Sequence, residues 1–448
     1  MRGFLASSIG VTCAAALALP LIPPASAATA RPAPTAQAAG RNVPGSTQSL
    51  PLQPLIRDRT AGAAEQGLPR RAVRHFSLVG VVWDDPRAEL HGRVQVRTRA
   101  AGTGTWSGWQ DLQTHNTDHA PDPGTAEYAS GRVRGATAPL WVGESDAVEA
   151  RVRAEADGAR GLGDMGLRLE LVDPGAGDPP TGAPADGSRA GGALDAGADA
   201  AAAANAGLAP HGATEIPALS RRETERELLR STERDLLGPT EGQRVKPYIG
   251  PRPAIVTRRG WGADERLRER KFVYTKKVKA AFVHHTASGN NYRCWQAPSL
   301  IRSIYRYHVK SMGWRDVGYN FLIDKCGKIF EGRAGGVARP VLGAHTLGFN
   351  SHSMGIAVLG SYGSSKPPSS AVRAISQLTA WKLGLYGMNP RGKTYLKSGG
   401  SNLHPRGREV RLNVISGHRD GFLTECPGRK LYGKLDTARS TAARYQGR

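Results

Sequence analysis

The chain has 448 residues, with 61 Lys and Arg against 38 Asp and Glu and a formal net charge of +23 at pH 7. That length exceeds what one core supports and asks for two or three domains. The basic excess favours polyanionic surroundings, but no basic helix, zinc-finger spacing or stacking motif accompanies it, so nucleic acid is not an expected partner.

Residues 1–27 carry Arg2, an apolar run from Val11 to Ile22 and the small-x-small close Ala25-Ser26-Ala27, the pattern of a signal peptide. The mature chain is expected to start near Ala28, exported and associated with a cell wall. Later segments contain no apolar stretch of the roughly 20 residues that a transmembrane anchor needs. Residues 28–70, rich in Ala, Pro, Arg and Gln without periodicity, read as a flexible segment.

From 71 to 174 the pattern changes to period two. Val94 and Val96 alternate with Arg93, Gln95 and Arg97, and Leu167, Leu169 and Leu171 with Arg168 and Glu170. Such short alternating strands predict a small all-β, sandwich-like domain. Trp83, Trp106, Trp109 and Trp141 are read as its core in preference to sugar-stacking platforms, and its role is not legible. Residues 175–247 form an Ala/Gly/Pro-rich linker that includes a short charged helix, Arg221 to Leu237. Leu228, Leu229, Leu236 and Leu237 lie on one repeat of that helix and predict docking on a domain.

Residues 248–448 alternate strands with helices. Val278–Val283 is an apolar strand, and Pro298 opens a helix that presents Leu300, Ile301, Ile304, Tyr305, Val309 and Met312 on one face and stops at Gly313. Tyr319–Asp324 and Lys328–Glu331 form a hairpin around Cys326-Gly327. Met354–Leu359 and Val410–Ile415 are further strands, and Ser369–Leu385 and Leu431–Tyr445 are helices. The fold class is α/β, a mixed central sheet flanked by helices, preceded by the all-β domain.

The chemistry sits in this last region. The first apolar strand ends on His284-His285, and Gly417-His418-Arg419-Asp420 is followed by Cys426-Pro427-Gly428. Two imidazoles and a thiolate are three Zn2+ ligands, and a site with three protein ligands leaves its fourth tetrahedral position to water, the arrangement of a hydrolase. Successive side chains on a strand point to opposite faces, so only one of His284 and His285 reaches the metal. Tyr319 lies on the neighbouring strand. With Cys13 in the leader, three cysteines remain in an exported chain. Cys294 and Cys326, which flank one helix and the following strand, are predicted to pair and leave Cys426 for the metal. His308, His345, His352 and His404 take structural roles by default.

His284-His285-Thr286-Ala287, Gly313-Trp314-x-Asp316-Val317-Gly318-Tyr319-Asn320-Phe321, Ile329-Phe330-Glu331-Gly332-Arg333, Gly343-Ala344-His345, Phe349-Asn350-Ser351 and Gly417-His418-Arg419-Asp420 through Cys426-Pro427-Gly428 occur in order. Together they resemble the peptidoglycan recognition protein family, itself similar to the phage-lysozyme type of N-acetylmuramoyl-L-alanine amidase. The resemblance covers about residues 250–440. It implies that His284 is the ligand of the pair, with His418 and Cys426, that Tyr319 is the catalytic tyrosine, and that Thr424 assists it. By analogy His345, Asn350 and Arg333 would bind substrate. The implied activity is zinc-dependent hydrolysis of the amide between N-acetylmuramic acid and L-alanine, with peptidoglycan, and further anionic wall polymers, as partners. The competing reading is a binding module that recognises peptidoglycan without cutting it. Members of that kind typically lack the cysteine ligand, so Cys426 together with Tyr319 favours the enzyme. One departure touches stem-peptide specificity: Ala334-Gly335-Gly336 stands where several members carry a Gly-Trp pair.

Overall fold

The computed structural model describes residues 43–55, 65–114, 116–155, 162, 165–176, 194–235 and 248–448. The expected leader, the segment before residue 43, linker residues 177–193, and Leu236 and Leu237 lie outside the described residues.

The first domain is an antiparallel sheet of β1 (Val43–Pro51), β2 (Gln53–Pro54), β3 (Glu65–Trp83), β4 (Gly92–Ala100), β5 (Gln110–Leu112), β6 (Gly135–Ala136), β7 (Leu140–Ala154) and β8 (Arg168–Ala176). The order is β1-β8-β3-β7-β4-β5, and β2 and β6 also pair with β3. The alternation at Val94 and Val96 holds, and both are buried in one core with Val79, Val81, Trp83 and Leu169. The intervening Leu78 and Val82 face the other way, into a core shared with the second domain. Trp83 and Trp141 are buried. Trp106 and Trp109 instead lie under the guanidinium groups of Arg70, Arg97 and Arg151.

Part of the segment expected to be flexible is ordered, because β1 pairs with β8, Thr47 opposite Val172 and Leu50 opposite Leu169. Strand pairing there runs through the backbone. The edge position of β1 tolerates Pro44 and Pro51, so composition alone conceals the strand.

The expected linker is likewise structured where it is described. It contains α1 (Ala196–Ala203), β9 (Glu215–Ile216) and α2 (Arg221–Asp235). Alanine is the best helix former, and the Asp195 carboxylate caps α1 by accepting from Gly197 N and Ala198 N. The docking expected of α2 is seen: Thr224 Oγ1 accepts from Arg252 N at 3.0 Å, Glu227 pairs with the Arg252 guanidinium, and Leu228 packs on the core.

The second domain contains β10 (Ile255–Val256), β11 (Ala280–His285), α3 (Ala297–Arg306), β12 (Phe321–Ile323), β13 (Ile329–Glu331), β14 (Ser353–Val358), α4 (Ser369–Gly384), β15 (Lys393–Lys397), β16 (Glu409–Asn413), β17 (Ile415–Gly417), α5 (Arg429–Tyr432) and α6 (Leu435–Gln446). Its main sheet is mixed, in the order β17-β11-β14-β12-β13-β10-β9, and β15 pairs with β16 as a separate ribbon. β11 is parallel to both β14 and β17. A strand flanked by parallel neighbours is covered on both faces, which is why Ala280 to His285 is buried throughout. On one face Ala281 and Val283 meet Ile375 and Leu378 of α4 and Ala438 and Ala442 of α6. On the other side of the sheet, Leu322 and Ala357 meet Leu300, Ile301 and Ile304 of α3. Each large aliphatic side chain so buried contributes roughly 1.5 to 3 kcal/mol.

Helix α3 lies between the two sheets. Pro298 falls in its first turn, and the helix runs on through a π-helical turn at Tyr307–Ser311. There Tyr307 donates its hydroxyl to Thr137 O of the first domain, and Ser311 donates to Glu170. The stop at Gly313 is set by space as well as by its φ of 76°, since a Cβ would lie 2.0 Å from Arg132 O. Cys294 and Cys326 form the expected disulfide, fastening the start of α3 to the β12–β13 turn. Among the described residues no helix is long and apolar enough to cross a membrane.

Candidate metal centre

Parallel pairing of β11 with β17 sets Val283 opposite Gly417, so the residues that follow them, His284 on β11 and His418 just past β17, emerge at the same sheet end. Their Nδ1 atoms are 3.1 Å apart. The segment after β17 turns back, with Arg419 N donating to Cys426 O at 3.1 Å, and sets Cys426 Sγ 3.8 Å from His284 Nδ1. His285 points to the opposite face, where its Nδ1 accepts from Tyr362 N. Strand alternation thus separates the pair, with His284 on the side of His418 and Cys426.

A fourth donor completes the group. His119, on the loop between β5 and β6 of the first domain, brings Nε2 to 3.7 Å from Cys426 Sγ. The ligand atoms of His119, His284, His418 and Cys426 all lie within 4.8 Å of one another, and all four residues are buried. Tetrahedral zinc with ordinary Zn–N and Zn–S bonds would separate nitrogens by about 3.3 Å and nitrogen from sulfur by about 3.6 Å. The His284–His418, His284–Cys426 and His119–Cys426 spacings of 3.1, 3.8 and 3.7 Å lie close to those values. His119 would thus offer a fourth protein donor where an open position for water was expected.

Electrostatics agree with a ligand set. Burial, then the neighbouring imidazoles, pushes His284 well below its usual pKa, and burial pushes His418 down to about 3. Both are neutral at pH 7, as ligation requires. Burial and then Asp118 push the Cys426 thiol up, a shift that a bound cation would reverse. His119 is oriented by Asp118, whose Oδ1 lies 2.9 Å from His119 Nδ1, the carboxylate–histidine arrangement that commonly supports a metal ligand.

Tyr319 is 5% exposed, with its ring 5.5 Å from that of His284 and 5.9 Å from that of His119. Burial, then Cys426 and Asp118, pushes its phenol up, so it remains a hydrogen-bond donor. Thr424 Oγ1 accepts from Cys426 N at 3.1 Å. His308, assigned a structural role, accepts from Gly318 N and thereby supports the turn into Tyr319.

The three residues expected to bind substrate border this centre, and they are engaged from within. His345 is fully buried, its ring 5.2 Å from that of His284. Asn350 Oδ1 accepts from His345 N, while its Nδ2 donates to Asp122 Oδ1 at 2.6 Å and to Ala120 O at 2.9 Å. Arg333 is paired through both terminal nitrogens with Glu127. The departure at Gly336 has a steric counterpart: its φ is 97°, and a Cβ would lie 2.5 Å from Ala204 O, just beyond α1.

Sequence reasoning missed Asp118, His119, Asp122 and Glu127. They belong to no recognisable motif, lie outside the region of resemblance, and in the case of His119 stand 307 residues from Cys426.

Comparison with known proteins agrees with this architecture. Residues 274–429 match the N-acetylmuramoyl-L-alanine amidase family, and residues 32–185 match the Rv3811 N-terminal galactose-binding domain-like family. Peptidoglycan-recognition protein SC2 of Drosophila simulans is 34% identical over 185 residues, 41% of this chain and 85% of that protein. An N-acetylmuramoyl-L-alanine amidase of Homo sapiens is 31% identical over 193 residues, 41% of this chain and 28% of that protein. Among solved structures, Drosophila PGRP-LB is 24% identical and covers 41% of this chain and 92% of its own, with a TM-score of 0.32. The chain belongs to the peptidoglycan-recognition protein family.

Proposed function

We propose that this protein is an exported zinc-dependent N-acetylmuramoyl-L-alanine amidase that cleaves the amide between N-acetylmuramic acid and the L-alanine of the stem peptide. The observation that carries the reading is the convergence of His284, His418 and Cys426 beside Tyr319. His284 and His418 would hold the ion as neutral imidazoles and Cys426 as thiolate. The chemistry zinc supplies when bound is Lewis acidity and hydroxide near neutral pH. Tyr319 Oη would donate to the oxyanion that develops on the scissile carbonyl, a contribution of about 2.7 to 4 kcal/mol for one such donor in other enzymes. Thr424 would assist by orienting the same region through its hydroxyl. Arg333, Asn350 and His345 would line the substrate side. Export and a wall location are supported by the leader-like residues 1–27 and by the Cys294–Cys326 disulfide, which suits an oxidising compartment.

The test is release of new N-terminal L-alanine from purified wall sacculi, with and without a chelator, by the full chain and by its His119→Ala variant. Release from neither, or release indifferent to the chelator, overturns the reading. One observation favours the alternative of a peptidoglycan-binding protein that does not cut: four protein donors surround the site, as in structural zinc centres.

A further inference from the structure

We propose that the chain is built in a latent form, in which residues 116–134 of the first domain occupy the peptidoglycan cleft as an internal acidic ligand and His119 takes the metal's fourth position. This inference rests on the amidase reading above.

The segment is the long connection between β5 and β6, and apart from a single 3-10 turn at Tyr128–Ser130 it has no regular structure of its own. Connections of that length in compact domains are usually functional. It is held at separate points of the second domain, each next to a residue of the candidate site. Asp118 O accepts from Leu347 N at 2.9 Å. His119 stands against Cys426, His284 and Tyr319. Ala120 O and the Asp122 carboxylate take the Asn350 amide, and Asp122 also accepts from Gly348 N. Glu127 takes Arg333 and accepts from Arg315 N.

The consequence is a sealed site. His284, His418 and Cys426 are each 0% exposed, and a polymeric glycan-peptide cannot reach a centre from which solvent itself is excluded. Three carboxylates, those of Asp118, Asp122 and Glu127, fill the cleft of a chain whose net charge is +23. Those of Glu127 and Asp122 meet a buried guanidinium and an amide side chain as the carboxylates of an acidic peptide would, while that of Asp118 holds His119. Substrate and segment therefore compete for Arg333, Asn350 and the fourth metal corner, and the cleft opens only when the segment leaves.

The experiment compares the zinc-loaded full chain with His119→Ala. X-ray absorption at the zinc edge counts imidazole ligands, and isothermal titration measures the affinity for a soluble disaccharide-peptide fragment of the wall. The expected results are three imidazoles in the wild type and two in the variant, with fragment binding at least about tenfold tighter in the variant, because the apparent constant scales with the open fraction. His119→Gln, which keeps polar bulk but supplies no imidazole, serves if the alanine variant does not fold. Two imidazoles in the wild type, or equal affinity in wild type and variant, overturns the proposal. Tighter binding without release of L-alanine by either protein would leave the latent cleft standing and remove the amidase reading. Release by the wild type as fast as by the variant would do the reverse.

Discussion

Glu127 and Arg333, 206 residues apart in the chain, form a buried pair in which each terminal guanidinium nitrogen lies 2.9 Å from a carboxylate oxygen. Asp316 O and Val317 O also accept from this guanidinium, so the pair ties the first domain to the turn that leads into Tyr319. Removing one partner of such a pair strands the other and costs about 3 to 5 kcal/mol, whereas removing both costs less. Urea unfolding of Glu127→Gln, Arg333→Gln and the double variant is expected to show a coupling above about 1 kcal/mol. Additive single effects would mean that the two side chains do not stabilise one another.

In the His119→Ala background, Cys426→Ser is expected to lose zinc retention and wall hydrolysis together, because it removes the sulfur donor beside His284. Elemental analysis after dialysis checks the first and L-alanine release the second. His285→Ala is expected to keep the metal, since its ring faces Tyr362.

Tyr319→Phe is expected to retain zinc and to lower turnover by a factor of about 100 to 1,000, the usual effect of deleting one oxyanion donor. It is best measured in the His119→Ala background, where the cleft is expected to be open. Full turnover in the phenylalanine variant would remove the tyrosine from the chemistry.

The metal-free chain is expected to lose stability in mild acid. Burial holds His284, His308 and His345 well below their usual pKa, His285 at about 4 and His418 at about 3. The unfolded chain takes up these protons near pH 6.5 and the folded chain does not. Stability is therefore full above pH 6.5 and falls as the pH drops from there toward 4, by up to about 1.4 kcal/mol per unit for each histidine. Asp122, pushed up to about 6 by burial, and Glu331, pushed up to about 7 by burial, act in the opposite direction, since they hold protons in the folded state that the unfolded state releases. Chemical unfolding between pH 7 and 4 with a chelator present measures the net slope, and a flat or rising profile toward acid would contradict it.

Replacing Cys294 and Cys326 together by alanine reopens a loop with a sequence separation of 32. The expected loss is about 3 to 4 kcal/mol in the chain-entropy model, read from the urea midpoint. Zinc content should be unaffected, because Cys426 is the free thiol.

Where the chemistry is local, the sequence was legible. The apolar run ending at His284, the helical spacing of Leu300, Ile301 and Ile304, and the hairpin around Cys326 are all written in short-range patterns that burial enforces. Alternation on β11 requires that only one of His284 and His285 face the metal side, the resemblance named His284, and the cysteine count anticipated the disulfide. The pairing of Thr47 with Val172 and the seating of α1 beside Gly336 were not legible, because both depend on backbone contacts that composition does not record.

By itself, then, the chain's order of residues determined which groups are capable of gripping a metal and what sort of domain presents them, since ligand chemistry and strand periodicity are properties of neighbours along the backbone. Only the tertiary structure decided whether that metal position stands open. His119 reaches it because the first sheet packs on α3 and swings the β5–β6 loop over the sheet end, a long-range arrangement whose energy comes from burying Leu78, Val82 and Tyr307 between the domains and whose outcome no local pattern encodes.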